Sequence, residues 1–213
     1  MHEKQSNHIG TITGKTIGEV WRLYCDHVLS QGVVRPDDKE DILESAPLLI
    51  EILDPSVDDP FVLRHGDQHV IEIYTKKMYS MDIITELNST YGDRIFLNCG
   101  VDQFKWMIDR LRTKWWTKAA SISLLKPNDP GPRIPCLTQI QFLQRDGKIN
   151  AHCTFRSQNV FRSYGNFLGI KSLLDKASKE LDVPAGRIIV FISCPHIYIS
   201  DREKAKQISE FAI

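Results

Sequence analysis

The sequence has no CxxC pair, no excess of charge of either sign, and no run approaching the ~18 apolar residues that a membrane span needs. Its five cysteines, Cys25, Cys99, Cys136, Cys153 and Cys194, are odd in number and scattered. That distribution argues against a structural zinc site, so no metal is expected, and it suits a reducing compartment. Lys+Arg and Asp+Glu both count 27, so no global basic field exists to hold a nucleic-acid polymer. Any phosphate recognition must be local. The opening MHEKQSNHIG has no apolar segment of the signal-peptide kind. A cytoplasmic protein without membrane or nucleic-acid partners is the expectation.

What is present supports a packed core. Over 213 residues, 42% are hydrophobic and 25% charged, which fits one domain spanning 1–213 and argues against global disorder. Residues 1–15 read as a loose arm. Thr16-Ile17-Gly18-Glu19 is a capping box, and Ile17, Val20, Trp21, Tyr24 and Val28 follow at helical spacing up to Gly32. RPDDKED is a charged loop, APLLIEIL a strand, and HVIEIYTKKMYS leans towards helix. Gly92 marks a loop around NSTYGDRIF. Val101, Phe104, Ile108, Leu111 and Trp115 fit one helix face ending near Lys114.

SISLL is a strand, and KPNDPGPRIP a Pro-rich connection. CLTQIQFLQ and KINAHCTF flank Asp146-Gly147, a strong hairpin signal. A helix is expected from Asn166 to Leu181, with Ile170, Leu173, Leu174, Ala177 and Leu181 buried. IIVFIS is a strand, and the tail DREKAKQISEFAI is partly helical. The mixture reads as α+β.

The stretch from Arg133 to Asn166 concentrates the chemistry. Cys136 follows a proline at the mouth of a strand, Arg156-Ser157 follows the hairpin, and the Asn166 amide lies about ten residues on. A free thiol titrates near ~8.5, so a nucleophilic cysteine needs cationic neighbours; Arg156 and Arg133 are candidates. The other four cysteines read as buried and inert. At positions i and i+2 of an extended segment, His196 and Tyr198 present both side chains to one side.

In order, YGDRI, GVDQFKWMIDRLRT, IPC, DGKINAHCTFRSQNVF, Asn166 and HIY form a collinear set over roughly residues 90–200. This set resembles the thymidylate synthase family, which includes pyrimidine nucleotide hydroxymethylases, and looks most like its compact archaeal-type branch. The resemblance implies a single domain with a mixed, about six-stranded sheet flanked by helices. It also implies a homodimer formed through the sheet face, each active site borrowing arginines from its partner.

The same resemblance implies the site. Cys136 adds to C6 of a pyrimidine, Tyr91 assists removal of the C5 proton, and Glu72 is the candidate general base, with Glu51 in reserve. Arg156 and Ser157 bind the 5′-phosphate of a pyrimidine nucleoside monophosphate. Asn166 reads uracil N3 and O4, whereas a carboxylate there would favour cytosine. His196 and Tyr198 take the sugar 3′-hydroxyl. The carbon donor is 5,10-methylene-tetrahydrofolate or a related pterin.

The chain departs from the family at three places. Lys118-Ala119 stands where paired arginines are lent to the partner, so Lys118 is the candidate for one of them, a point charge in place of a bidentate fork. Asn159 replaces the aspartate expected to contact the pterin. The N-terminal phosphate arginine has no clean match, Arg35 and Lys39 being only nearby. In its favour, the sequence ends in Ala212-Ile213, as such enzymes often do. Methylation of dUMP to dTMP is the simplest expectation. A (d)UMP or (d)CMP 5-hydroxymethylase, as in nucleoside-antibiotic synthesis, and a catalytically impaired nucleotide-binding relative are the alternatives.

Overall fold

The computed structural model describes residues 8–85, 90–126, 129 and 134–212. The chain runs through β1 (Gly10–Gly14), α1 (Ile17–Gln31), β2 (Val33–Arg35), β3 (Ile42–Glu44) and β4 (Leu48–Ile52). Four helices follow: α2 (Pro60–His65), α3 (Gln68–Tyr79), α4 (Gly92–Phe96) and α5 (Gln103–Thr113). Then come β5 (Ser121–Ser123), β6 (Leu137–Arg145), β7 (Lys148–Phe155) and β8 (Gln158–Asn159). The last part holds α6 (Ser163–Leu181), β9 (Ala185–Ile192), β10 (Pro195–Tyr198) and α7 (Arg202–Glu210).

Six strands form one mixed sheet in the order β1-β4-β9-β7-β6-β5. Alternation along its strands sends Leu48, Ile50, Ile52, Ile188, Val190, Ile192, Phe155 and Phe142 to one face, where none is exposed. Helices α1, α5 and α6 cover that face. Each of these large side chains contributes about 1.5–3 kcal/mol by leaving water. The other face carries Leu49, Glu51, Arg187, Ile189, Phe191 and Gln139, all partly or well exposed, with a Glu51–Arg187 ion pair at 2.8 Å. The α+β expectation and the six-stranded mixed sheet both hold.

Several local expectations need correction. Gly10–Gly14 is no loose arm: it pairs in parallel with β4, Gly10 opposite Leu48 through Gly14 opposite Ile52, and buries Ile12. Strands β2 and β3 flank the charged loop and join β10 and β8 in a second, four-stranded sheet. These are short segments that only long-range pairing stabilises, so their own pattern is weak. Residues 92–96 form the turn of helix α4 rather than a loop. Val101 and Trp115 are exposed, and only Phe104, Ile108 and Leu111 of the expected α5 stripe are buried.

Helix α6 begins at Ser163, earlier than expected, because Val160–Arg162 forms a 3-10 turn capped by Asn159 Oδ1 that runs straight into it. Thr16 caps α1 as expected, accepting from Glu19 N–H. The Asp146-Gly147 turn has φ values of 51° and 73°, the positive-φ pair that a tight hairpin of this twist requires.

Two close approaches fix the region above the sheet. A Cβ on Gly92 would lie 2.2 Å from Ser80 O and 2.4 Å from the Tyr79 carbonyl carbon. Only glycine lets the chain after Tyr91 run against the end of α3. On α6, Gly165 and Gly169 face Tyr74 and Met78 of α3, where an added Cβ would lie 2.8 Å from each side chain. Helices α3 and α6 are therefore pressed together along one seam.

Candidate active site

Cys136 sits half-buried just before β6. Ser157 Oγ points at its sulfur from 3.6 Å, and Arg156 N–H donates to its carbonyl at 2.9 Å. The Arg156 guanidinium binds the same entrance, Nε to Pro135 O at 3.1 Å and Nη2 to Ile134 O at 2.9 Å. Arg156 thus shapes the backbone that presents the thiol while its outer edge stays exposed. Arg133 lies outside the described residues.

Tyr91 approaches from the other side. It is buried, and its hydroxyl oxygen accepts from Leu137 N–H at 3.4 Å. Burial pushes its phenol well above the usual range, and the nearby Cys136 adds to that rise. The rest of the Tyr-Gly-Asp-Arg run fastens the connection that leads to Cys136. Arg94 makes paired bonds to Asp129 at 2.7 and 2.6 Å and donates to Leu124 O at 2.6 Å, while Asp93 holds Lys126 at 2.8 Å. The hydrogen bonds from Arg94 hold the Asp129 carboxyl below the usual carboxylate range.

His196 and Tyr198 come from β10, their rings 5.3 Å apart and facing the same side, as the i, i+2 spacing requires. His196 is buried with Nδ1 3.2 Å from Cys194 O, and desolvation lowers its pKa. Desolvation raises that of Tyr198, with smaller contributions from Asp37 and Cys136. Asn166 lies in the first turn of α6, buried, and is not the helix cap. Its Oδ1 is buried without a hydrogen-bond partner among the described residues. Such an oxygen is costly to leave unpaired, and a ligand donor would relieve it.

Other candidates stand apart from this group. Glu72 is exposed on the outer side of α3 and bonded to Gln68 at 3.1 Å, because it lies on the helix face opposite the α6 seam. It is not a neighbour of Cys136. Glu51 is on the open sheet face, paired with Arg187. Lys118 is exposed before β5, its carbonyl bonded by Gln141 on the sheet. Asn159 is opposite His196 in the second sheet, but its Oδ1 is engaged by Phe161 N–H at 3.1 Å. Of the four other cysteines, Cys25 and Cys153 are buried as expected, whereas Cys99 is exposed and Cys194 is half-buried, its thiol donating to Glu44 at 2.8 Å. Arg35 pairs with Glu44 at 3.4 Å.

Two residues were not singled out from the sequence. Lys77 is only 8% exposed, with Nζ 4.1 Å from the centre of the Tyr91 ring and 5.5 Å from that of Tyr74. Desolvation pushes its ammonium down to about 8, against an opposing pull from Cys136. Tyr74, raised to about 12 by burial, also feels Cys136. The signal was there: Val70, Tyr74, Lys77 and Met78 recur at helical spacing, so Lys77 falls on the inward stripe, although Lys76-Lys77 in a last turn reads as solvated charge.

The arrangement provides a thiol with a hydroxyl donor beside it, the Arg156 guanidinium on the backbone of its entrance, and the charge of Cys136 felt by Tyr91, Lys77 and Tyr198. Residues 57–210 match the family model described as Thymidylate synthase. A Methanosarcina barkeri protein described as "Putative thymidylate synthase" is 27% identical over 202 residues, covering 92% of this chain and 93% of its own. A Methanocaldococcus jannaschii protein of the same description is 25% identical over 190 residues, covering 83% and 84%. One from Methanothermobacter marburgensis is 27% identical over 122 residues, covering 56% and 55%.

Proposed function

The chain belongs to the thymidylate synthase family, and on that footing we propose that it transfers a one-carbon unit to C5 of a pyrimidine nucleotide, most simply turning dUMP into dTMP. The observation that carries this reading is the convergence on Cys136 of Ser157, Tyr91 and Arg156; the buried Asn166 oxygen, without a partner among the described residues, supports it.

Cys136 Sγ adds to C6, which makes C5 nucleophilic. Asn166 reads the base edge, its amide N–H donating to O4 and its free Oδ1 accepting from N3–H. The exposed edge of Arg156 and the Ser157 hydroxyl meet the phosphate, each charged hydrogen bond contributing about 1.5–3 kcal/mol. His196 and Tyr198 take the sugar hydroxyl. Tyr91, neutral because it is buried, assists removal of the C5 proton.

Methylene-tetrahydrofolate, as co-substrate, supplies the carbon unit and the hydride. With its oxygen engaged by Phe161 N–H, Asn159 retains the amide N–H groups, which suit a pterin carbonyl or ring nitrogen rather than the pterin N–H groups. The uncovered sheet face bearing Leu49, Ile189 and Phe191 supports a homodimer in which Lys118 serves the partner's site.

A second reading keeps the same nucleophile but ends in hydroxymethylation, water replacing hydride. The exchange of a fork of arginines for Lys118-Ala119, and the amide at Asn159, fit a specialised nucleotide or pterin carrier under either reading. Tritium release from C5-labelled dUMP, UMP, dCMP and CMP, with and without methylene-tetrahydrofolate, tests both. Release from dUMP with a methylated product is expected. A hydroxymethylated product selects the second reading, and no release from any of the four nucleotides sinks both.

A further inference from the structure

Lys77 is a buried amine for which no carboxylate has been named. Among the described residues no oxygen accepts a hydrogen bond from its Nζ, and no salt bridge reaches it. A lone ammonium in such a place costs stability unless a compensating anion is near. Each element packed around it holds charges that are already engaged. On α4, Asp93 is taken by Lys126, and Arg94 by Asp129. On α6, Lys171 and Asp175 pair with each other. On α3 itself, Lys76 faces solvent. Tyr74 and Tyr91 contribute ring faces, and both phenols stay neutral because burial raises them.

Among the described residues, the ionisable group whose charge reaches Lys77 is Cys136, and it acts on Tyr74, Tyr91 and Tyr198 as well. The path is short. Lys77 Nζ lies over the Tyr91 ring, and the Tyr91 hydroxyl meets the backbone N–H of Leu137, next to Cys136. Lys77 O also accepts from Tyr91 N–H at 2.8 Å, so the two residues are tied by backbone as well. Arg156, on the outer side, is directed by its hydrogen bonds to the Ile134 and Pro135 carbonyls.

We propose that Lys77 is the counter-ion of the Cys136 thiolate, a positioning residue that readies the nucleophile from the buried side while Arg156 is directed to backbone and phosphate. At neutral pH Lys77 is already an ammonium, since it titrates at about 8. The Cys136 S–H bond breaks with its proton passing to solvent, and the standing positive charge of Lys77 stabilises the thiolate that is left. The sulfur electron pair then forms the bond to C6. This deepens the proposed function and rests on Cys136 being its nucleophile.

The test needs no substrate, so failure of the proposed reaction leaves it intact. Alkylation of Cys136 by iodoacetamide is followed by peptide mass spectrometry between about pH 6 and 9, a window in which the tyrosines stay neutral. Wild type, Lys77→Met, Lys77→Arg and Arg156→Gln are compared, with near-ultraviolet circular dichroism confirming native packing. Lys77→Met is expected to slow alkylation at neutral pH about tenfold and to recover the wild-type rate at higher pH, a shift of ~1 pH unit. Lys77→Arg keeps the charge and is expected to stay near wild type. Alkylation of Lys77→Met at the wild-type rate overturns the proposal. So does a slowing confined to Arg156→Gln, or a uniformly lower rate in Lys77→Met with no shift along the pH axis, which marks lost access rather than a lost charge.

Discussion

Lys77 Nζ lies 4.1 Å from the centre of the Tyr91 ring, and Tyr91 reaches on to the backbone beside Cys136. The end of helix α3, the turn into α4 and the entrance to β6 are therefore one unit. Its stability and its chemistry are set by the same contacts.

Lys77 is costly to the fold. Its ammonium is pushed down from 10.5 to about 8 by desolvation. Below pH 8 both folded and unfolded chains hold the proton, and the cost of burying it is felt in full. From about 8 up to 10.5 the unfolded chain binds more protons, so stability rises with pH as the cost is relieved. Lys77→Met is thus expected to be more stable than wild type at neutral pH, by roughly 1–3 kcal/mol, with the gap closing as the solution becomes alkaline. Urea midpoints across that range check this, and a Lys77→Met protein no more stable than wild type at neutral pH contradicts it.

Gly92 has no room for a side chain. Its added Cβ would meet Ser80 O at 2.2 Å and the Tyr79 carbonyl carbon at 2.4 Å, both backbone. Gly92→Ala is expected to cost about 2–4 kcal/mol and to lower turnover by moving Tyr91. Thermal unfolding together with steady-state rates reads both effects. An unchanged melting temperature would mean that the chain yields there at little cost.

Asp129 is the paired carboxylate of a mostly buried arginine. Removing it in Asp129→Ala leaves Arg94 uncompensated and is expected to cost about 3–5 kcal/mol. The double variant Arg94→Met/Asp129→Ala should recover part of the loss, since the buried charge goes with its partner. A double variant as unstable as the sum of the two single changes would show that the pair is not coupled.

Much of this was readable in advance. Asp146-Gly147, most of the α5 and α6 stripes (Phe104, Ile108 and Leu111; Ile170, Leu173, Leu174 and Ala177, with Leu181 only half-buried) and the apolar β9 each carried a local signal strong enough to survive in the fold. The order of Cys136, Arg156-Ser157, Asn166 and His196-x-Tyr198 was legible as well, although the pairing of β8 with β10 that sets His196 opposite Asn159 was not. Strands β1, β2 and β3 were hidden because they exist through pairing with distant segments. Glu72 is a carboxylate of the right chemistry on the wrong face of α3, exposed and bonded to Gln68. The phase that turns Glu72 outward turns Lys77 in, and the glycines of α6 that set α3's position are a feature of packing, not of pattern.

Asn166 offers a direct test of base reading. Its Oδ1 is buried without a partner among the described residues, and its amide can serve uracil N3–H and O4 together. Asn166→Asp replaces the amide donor by a carboxylate and is expected to shift preference from uracil towards cytosine nucleotides by about tenfold or more in relative kcat/KM. Equal discrimination before and after the change would remove Asn166 from that role.

The central claim is covalent attack by Cys136, and its most direct measurement is tritium release from C5-labelled dUMP by wild type and Cys136→Ser side by side, with methylene-tetrahydrofolate present. Wild type is expected to release tritium in step with product. Cys136→Ser, whose hydroxyl is a far weaker nucleophile, is expected to fall by at least ~10³-fold while keeping the fold. Release by Cys136→Ser at a rate near that of wild type would contradict the account.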